Sequence, residues 1–407
     1  MQDIVSSQLY TDPDALHERY AALRKNSPVS WVEHPTYRPF WALVRHQDIT
    51  EISKQNDLFI NAPRLTLIPK QVEEYLASTG RGRDGSVRSI IDMDEPDHRK
   101  YRNVTQSWFL GSGVARFEDR VQAIAKRFVD RMAELGTQCD FARDIAVWYP
   151  LHVIMSILGL PEEDAPFILR STQAMLAASD PELQQNQQEY GTAEFEQLFA
   201  YLGTIVEKRR REPTNDLGSE IANGLVDGAA MGMLETLSYL MLTSTAGHET
   251  TSSSVAGGLL ALIENPAADK ATRQDPAIWA TGADEIVRWV TPIRHFMRTA
   301  TKDYAIGDKL IKAGESVAMF YLSANRDESI FDNPFVFDPA RTPNRHLSFG
   351  TGAHFCLGRI LALTEIRTLM REIQSRVGEI ALTGKPQWAQ SNFVGSIKHL
   401  PIAYKMR

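Results

Sequence analysis

Apolar positions along this chain recur mostly three and four residues apart, the spacing of a helix face. Pro13 to Arg24 reads as a short helix that stops near Pro28. Two strand-like runs follow, Val29 to Val32 and Trp41 to Val44. Ala115 to Leu135 is amphipathic, with charged outer positions. Tyr149 to Leu160 is apolar and ends at Pro161. Ala165 to Ala178 and Ala193 to Arg211 read as two helices joined by a polar, Gln-rich loop. Met231 to Glu264 is one long helical stretch closed by Pro266, and Asp275 to Val290 is another, stopped by Pro292. Strand-like pieces recur between Ile293 and Leu322. Phe331 to Ser348 is rich in Pro, Asp and Asn and predicts a long irregular loop. Leu357 to Val377 is a last amphipathic helix, with mixed strands after it. The pattern predicts a mainly α protein with a small β region, residues 1–407 forming one domain. A long structureless loop inside such a domain is usually functional.

Composition narrows the function. The 407 residues carry 51 acidic and 44 basic side chains, a net charge of −7. That gives no general attraction to nucleic acid or to an anionic membrane. Two cysteines cannot build a disulfide framework and fit a reducing compartment. The first residues lack a basic and then apolar leader, and no run of eighteen apolar residues occurs. A soluble, cytoplasmic protein with no membrane anchor is expected.

Candidate chemistry concentrates in Phe349-Gly-Thr-Gly-Ala-His-Phe-Cys-Leu-Gly358, between the irregular loop and the last helix. Gly350 and Gly352 permit a tight turn and close approach to a flat ligand. Cys356 is expected at a helix N-terminus, where the dipole favours a thiolate suited to a soft metal or haem iron. From Cys356 alone, a small buried hydrophobe is the commoner reading. A phosphate loop fails because Phe355 stands where a third glycine is needed. Zinc fails because Cys139 is far away with no paired spacing. A cysteine hydrolase with His354 as base stays open.

Other segments add weight. Thr243 to Ser254 places eight hydroxyl residues in the middle of the long helix, poor helix-forming chemistry that suggests a functional site. Gly247 within it would permit a kink or a widened turn. Glu285 and Arg288 are at i and i+3, a common surface pair in isolation. His98 and Arg102 share a helix face at i and i+4, and Arg298 follows Pro292-Ile-Arg-His-Phe-Met.

Taken together, these segments resemble the cytochrome P450 family, the haem-thiolate monooxygenases. The match runs through Phe349, Gly352, His354, Cys356 and Gly358, through Ala246-Gly-His-Glu-Thr-Thr251, through Glu285-x-x-Arg288, and through Arg341 in Phe337-Asp-Pro-Ala-Arg. The resemblance implies the P450 fold, with haem b between the long central helix and the cysteine-loop helix. It implies Cys356 as iron ligand, with Phe349, His354 and Gly358 shaping the loop. It implies His98, Arg102, Arg298 and His354 at the propionates. Glu249 and Thr250 would guide protons during oxygen activation. Glu285, Arg288 and Arg341, with His346 as a second candidate for the last, would brace the pocket. Leu242, Thr245, Ala246, Ile293, Phe393 and Val394 would line it, under lid loops Asn61 to Ile91 and Ala178 to Tyr190. Arg294 is expected to face solvent, since charged side chains are seldom buried.

The implied activity is insertion of one atom of O2 into a C–H bond of a small hydrophobic substrate. Cys139-Asp-Phe, Tyr149-Pro-Leu-His and Phe393-Val-Gly-Ser-Ile-Lys resemble the terpene-alcohol-hydroxylating group. Steroid side chains, fatty acids and aromatic compounds are the alternatives. The chain has no flavin or iron–sulfur motif, so a ferredoxin and its NAD(P)H-dependent reductase would supply electrons to a monomeric enzyme. Arg99, Lys100, Arg102, Arg345 and Arg359 offer a basic face for an acidic ferredoxin. A peroxide-driven oxidase and a haem sensor or carrier without turnover are the other readings. Cys139 is expected to be a buried structural thiol.

Overall fold

The hydroxyl-rich stretch lies inside one continuous helix, Met233–Glu264. At 1.5 Å per residue it is roughly 48 Å long, enough to cross a small domain. Its poor helix formers are stabilised by bonding back to the preceding turn. Thr243 donates to the Tyr239 carbonyl at 2.8 Å, Thr245 to Met241 at 2.7 Å and Ser253 to Glu249 at 2.8 Å. The widened turn expected at Gly247 is absent. Gly247 serves packing instead, because a Cβ there would stand 2.7 Å from Ile154. That contact seats Trp148–Leu158 against the central helix.

The computed structural model describes residues 2–78, 88–176, 180–183 and 192–407. Thr192–Arg211, Trp279–Val290 and Arg359–Arg376 also pack on the central helix, and together they build the main apolar core. The expected elements fall within a few residues of those observed. His46–Ser53 is a helix that the periodicity did not flag. A five-stranded sheet flanks the helical body, in the order Val29–Val32, Phe40–Leu43, Ser316–Phe320, His295–Ala300, Phe59–Ile60. A smaller sheet pairs Gln138–Asp140 with Pro401–Met406, and there Cys139 opposes Ile402. Cys139 is only partly buried, and its surroundings still push the thiol up to about 12. No helix among the described residues is long and apolar enough to cross a membrane.

The irregular stretch after Phe331 is fastened by a buried charge cluster. Glu285 and Arg288 are both 0% exposed and form a two-bonded pair, with 2.7 Å at each contact. Arg288 also donates to the carbonyls of Asn325 and Pro334, each at 2.9 Å. Glu285 accepts from Asp338 N at 2.9 Å, Arg341 Nε at 3.3 Å and Asn344 Nδ2 at 3.1 Å. Arg341 in turn donates to the Asp332, Asn333 and Val336 carbonyls. His346, the second candidate for this cluster, goes elsewhere and pairs with Asp284 at 3.3 Å. Arg359 meets the same carboxylate at 3.0 Å. Burial opposes ionisation of Asp284, but the His346 hydrogen bond and the Arg359 charge win and hold its carboxyl below the usual range.

Arg294 does not face solvent; it is 5% exposed. Its Nη1 donates to the Val290 carbonyl at 2.9 Å, and a Cβ on Gly395 would touch its guanidinium. Burial lowers it to about 10, with Tyr10 and Tyr20 acting against the loss. A backbone oxygen takes the place of the acid partner on which a buried arginine usually relies.

Both expected lid loops are partly outside the described residues. Lys70–Ser78 of the first is a helix, and Asn61 at its start is buried. Residues 180–183 of the second are tied down. Buried Asp180 accepts from Gln390 N at 2.8 Å and meets Lys398 Nζ at 3.3 Å. His399 spans Asp140 Oδ2 at 2.6 Å and Glu182 Oε1 at 2.7 Å.

Removing Glu285 would leave two guanidinium groups in the interior without their acid. Glu285→Ala is expected to cost about 3–5 kcal/mol, or to prevent folding. Urea unfolding, followed by far-UV circular dichroism, checks this; a loss within 1 kcal/mol would make the cluster incidental.

Candidate active site

The cysteine loop takes its shape from two left-handed glycines, Gly350 at φ +69° and Gly352 at φ +79°. Gly352 also passes so close to Ser53 that a Cβ would stand 2.2 Å from its carbonyl oxygen. The amide of Cys356 closes the loop by donating to Phe349 O at 2.8 Å. The helix begins at Arg359 with Gly358 as its N-cap, so Cys356 lies just ahead of the first turn. The Cys356 side chain has accessible surface, yet protein surrounds it at depth. A side chain lining an internal gap has this combination. Burial pushes its thiol up, while the amides of Gly358 and Arg359 and the charges of Arg102 and Arg359 pull it down. A bound metal cation would tip this balance to the thiolate.

Asp97–Phe109 carries His98 and Arg102 to the same loop. Arg102 Nη2 donates to the Phe355 carbonyl at 2.7 Å. The His98 ring is 2% exposed and 4.0 Å, centroid to centroid, from the His354 ring. Neither His98 nitrogen has a hydrogen-bond partner; Nδ1 is 3.6 Å from Glu95. Burial lowers its pKa against the pull of Glu95. Asn61 Nδ2 lies 2.9 Å from His354 Nε2. Sequence reading missed Asn61, whose only signal was its place at the start of a supposed lid. Arg298 is buried on His295–Ala300, and its Nη1 donates to Met297 O at 2.7 Å. That strand pairs Thr299 with Ile60, directly before Asn61.

The central helix carries an accessible stripe of its own. From Thr236 to Leu262, only Leu242, Thr243, Ala246, Gly247 and Thr250 retain partial or full exposure. Their spacing makes one stripe down a helix face. Thr250 Oγ1 donates to Ala246 O at 3.1 Å. Thr245 sits beside this stripe, buried, with its hydroxyl committed to Met241. Glu249 points the other way. It is buried, and with Ser252 and Val394 it lines a cavity of about 210 Å³ that also reaches Arg143, Glu182 and Lys398. Ile293 bridges to Val394, and Phe393 packs edge-on against His295 and Phe296, with centroids 5.6 and 5.7 Å apart.

The expected basic face is largely paired. Lys100 meets Asp227 at 2.5 Å, Arg359 meets Asp284, and Arg99 approaches Glu95 at 3.7 Å.

Comparison with known proteins decides the family. A family model described as cytochrome P450 matches residues 283–376. Cytochrome P450-terp from a Pseudomonas species is 35% identical, over 98% of this chain and 96% of its own. This chain belongs to the cytochrome P450 family. A steroid C26-monooxygenase from Mycolicibacterium smegmatis is 30% identical, over 95% of this chain and 90% of its own. The crystal structure of CYP108D1 from Novosphingobium aromaticivorans superposes with a TM-score of 0.92 at 36% identity, covering 99% of this chain and 97% of that one. The protein is therefore a haem-dependent monooxygenase of the P450 fold.

The residues present fit haem b. A soft sulfur donor lines an internal gap, and a buried imidazole with two unpartnered nitrogens stands beside an arginine at the edge of the same loop. Cys356→Ala is expected to abolish the strongly red-shifted absorption band of the reduced carbon monoxide complex. An unchanged band in that variant would assign the iron to another residue.

Proposed function

We propose that this P450 hydroxylates a small terpenoid, drawing electrons from a ferredoxin and its NAD(P)H-dependent reductase. The similarity to P450-terp over nearly the whole of both chains carries the substrate reading. The apolar character of the residues assigned to the pocket agrees with it. Leu242, Thr245, Ala246, Ile293, Phe393 and Val394 offer carbon and one committed hydroxyl, which suits a compact hydrocarbon skeleton. A steroid side chain is the second reading, favoured by the 30% identity to the steroid C26-monooxygenase.

Each residue then has a task. Cys356 Sγ holds the iron, within the loop set by Phe349, His354 and Gly358. His98, Arg102, Arg298 and His354 take the propionates. Bound haem supplies oxygen activation and C–H cleavage, chemistry that no side chain performs alone. Glu249 holds a proton on the buried side of the central helix, and the Thr250 hydroxyl passes it into the gap. The pocket walls orient one carbon of the substrate and exclude water. Glu285, Arg288 and Arg341 keep the loop in register. Exposed Arg345, with Arg99 only loosely held by Glu95, is left to meet an acidic ferredoxin.

Spectral titration against terpenoids, steroids, fatty acids and small aromatics tests the substrate class. Terpene alcohols are expected to displace iron-bound water at the lowest concentrations. Tighter binding of a steroid would replace this reading with the second one. Thr250→Ala is expected to keep consuming electrons but to divert them to peroxide, with coupling falling about tenfold or more. Unaltered coupling would remove Thr250 from the proton path.

A further inference from the structure

His248 stands next to Glu249 on the buried side of the central helix and is itself 0% exposed. Its Nδ1 is 2.7 Å from the Ser244 carbonyl oxygen. A carbonyl has no hydrogen to give, so Nδ1 carries one. Its Nε2 is 3.1 Å from Thr172 Oγ1. That hydroxyl has one hydrogen and the Ile168 and Leu169 carbonyls within reach, at 3.0 and 3.1 Å, besides Nε2; with the hydrogen on a carbonyl it offers His248 a lone pair. Nε2 is also 3.3 Å from Glu249 Oε1, a buried atom with no hydrogen-bond partner. In that arrangement both nitrogens of the ring face acceptors. A neutral imidazole beside an ionised Glu249 would oppose lone pairs in a dry interior, an expensive arrangement. A further proton between the two residues relieves that opposition.

We propose that His248 is a positioning residue for the acid, sharing with Glu249 a single proton between Nε2 and Oε1. The proposal rests on the reading of Glu249 as the proton donor and extends it. When the shared proton passes through Glu249 towards Thr250, its bond to Nε2 breaks and Oε1 hands it on, leaving His248 neutral and Glu249 a carboxylate. A proton from solvent in the adjoining cavity then enters through Glu249 and returns the pair to its starting state. The charged groups on that cavity are Arg143, Glu182 and Lys398, besides Glu249 itself. Trp148–Leu158, packed on this stretch, presents Ile154 at Gly247, and its His152 pairs with Glu162 at 3.2 Å. From Ala165–Leu176 Thr172 reaches the ring, and Arg170 is exposed.

The test is nitrogen NMR on the holoenzyme, labelled with 15N-histidine, in its diamagnetic reduced carbon monoxide complex. His248→Gln assigns the signals by subtraction, and His248→Asn serves if that variant does not fold. Nε2 of His248 is expected to carry a bound or shared hydrogen at pH 7 and to lose it in Glu249→Gln. A bare acceptor Nε2 in the unmodified enzyme overturns the proposal, as does a signal that Glu249→Gln leaves unmoved. Turnover supplies a second readout, with linalool as the probe substrate. His248→Gln is expected to move the pH profile of peroxide release, and a profile unchanged in shape and position overturns the relay. If Glu249→Gln leaves coupling intact while the NMR result holds, the shared proton stands and the role of Glu249 in catalysis falls.

Discussion

One carboxylate, Glu285, organises much of this molecule. It is wholly buried and satisfied by two guanidinium groups, an amide N–H and an asparagine. Isolated charges in such a place would be ruinous, and only this full set of partners makes the arrangement tolerable. The consequence is geometric. Arg288 and Arg341 spend their remaining donors on carbonyls of the stretch from Asn325 to Val336. Asn325 then fixes Leu347 N and Ser348 Oγ, at 2.7 and 2.8 Å. Backbone with no helix or sheet of its own thus reaches Phe349 in a defined position, and the cysteine follows.

The central helix solves a different problem. It must stay rigid while carrying many hydroxyls, and on the proposed reading it must also hand on protons. Most of its hydroxyls close on carbonyls about one turn back. They remain inside the helix as stored polarity without interrupting it. The same helix divides its faces sharply. Thr250 belongs to the accessible stripe, and Glu249, about 100° round the helix, is buried at its edge.

Much of this was legible from residue order. The long helix, the irregular loop and the cysteine turn each carry strong local signals in proline, glycine and apolar spacing. The role of Gly247 was not, because only the partner helix reveals that Ile154 fills the space a side chain would need. Arg294 misled because burial statistics speak against an arginine whose side-chain partner is a backbone carbonyl. Asn61 escaped because a single asparagine in a polar loop looks like any other. His248 was visible only as the residue between a glycine and an acid. Its meaning depends on Thr172, which comes from a helix seventy-six residues earlier. Pairings across such distances leave no trace in local periodicity.

The fastening of residues 180–183 bears on how the pocket breathes. Asp180 grips the amide of Gln390, and Phe393 lies three residues further along that same turn. A guest that pushes Phe393 aside therefore tugs on the clasp that Lys398 and His399 help to form. If Phe393 lines the pocket as proposed, fit at that ring and the hold of residues 180–183 on the C-terminal turn are mechanically linked.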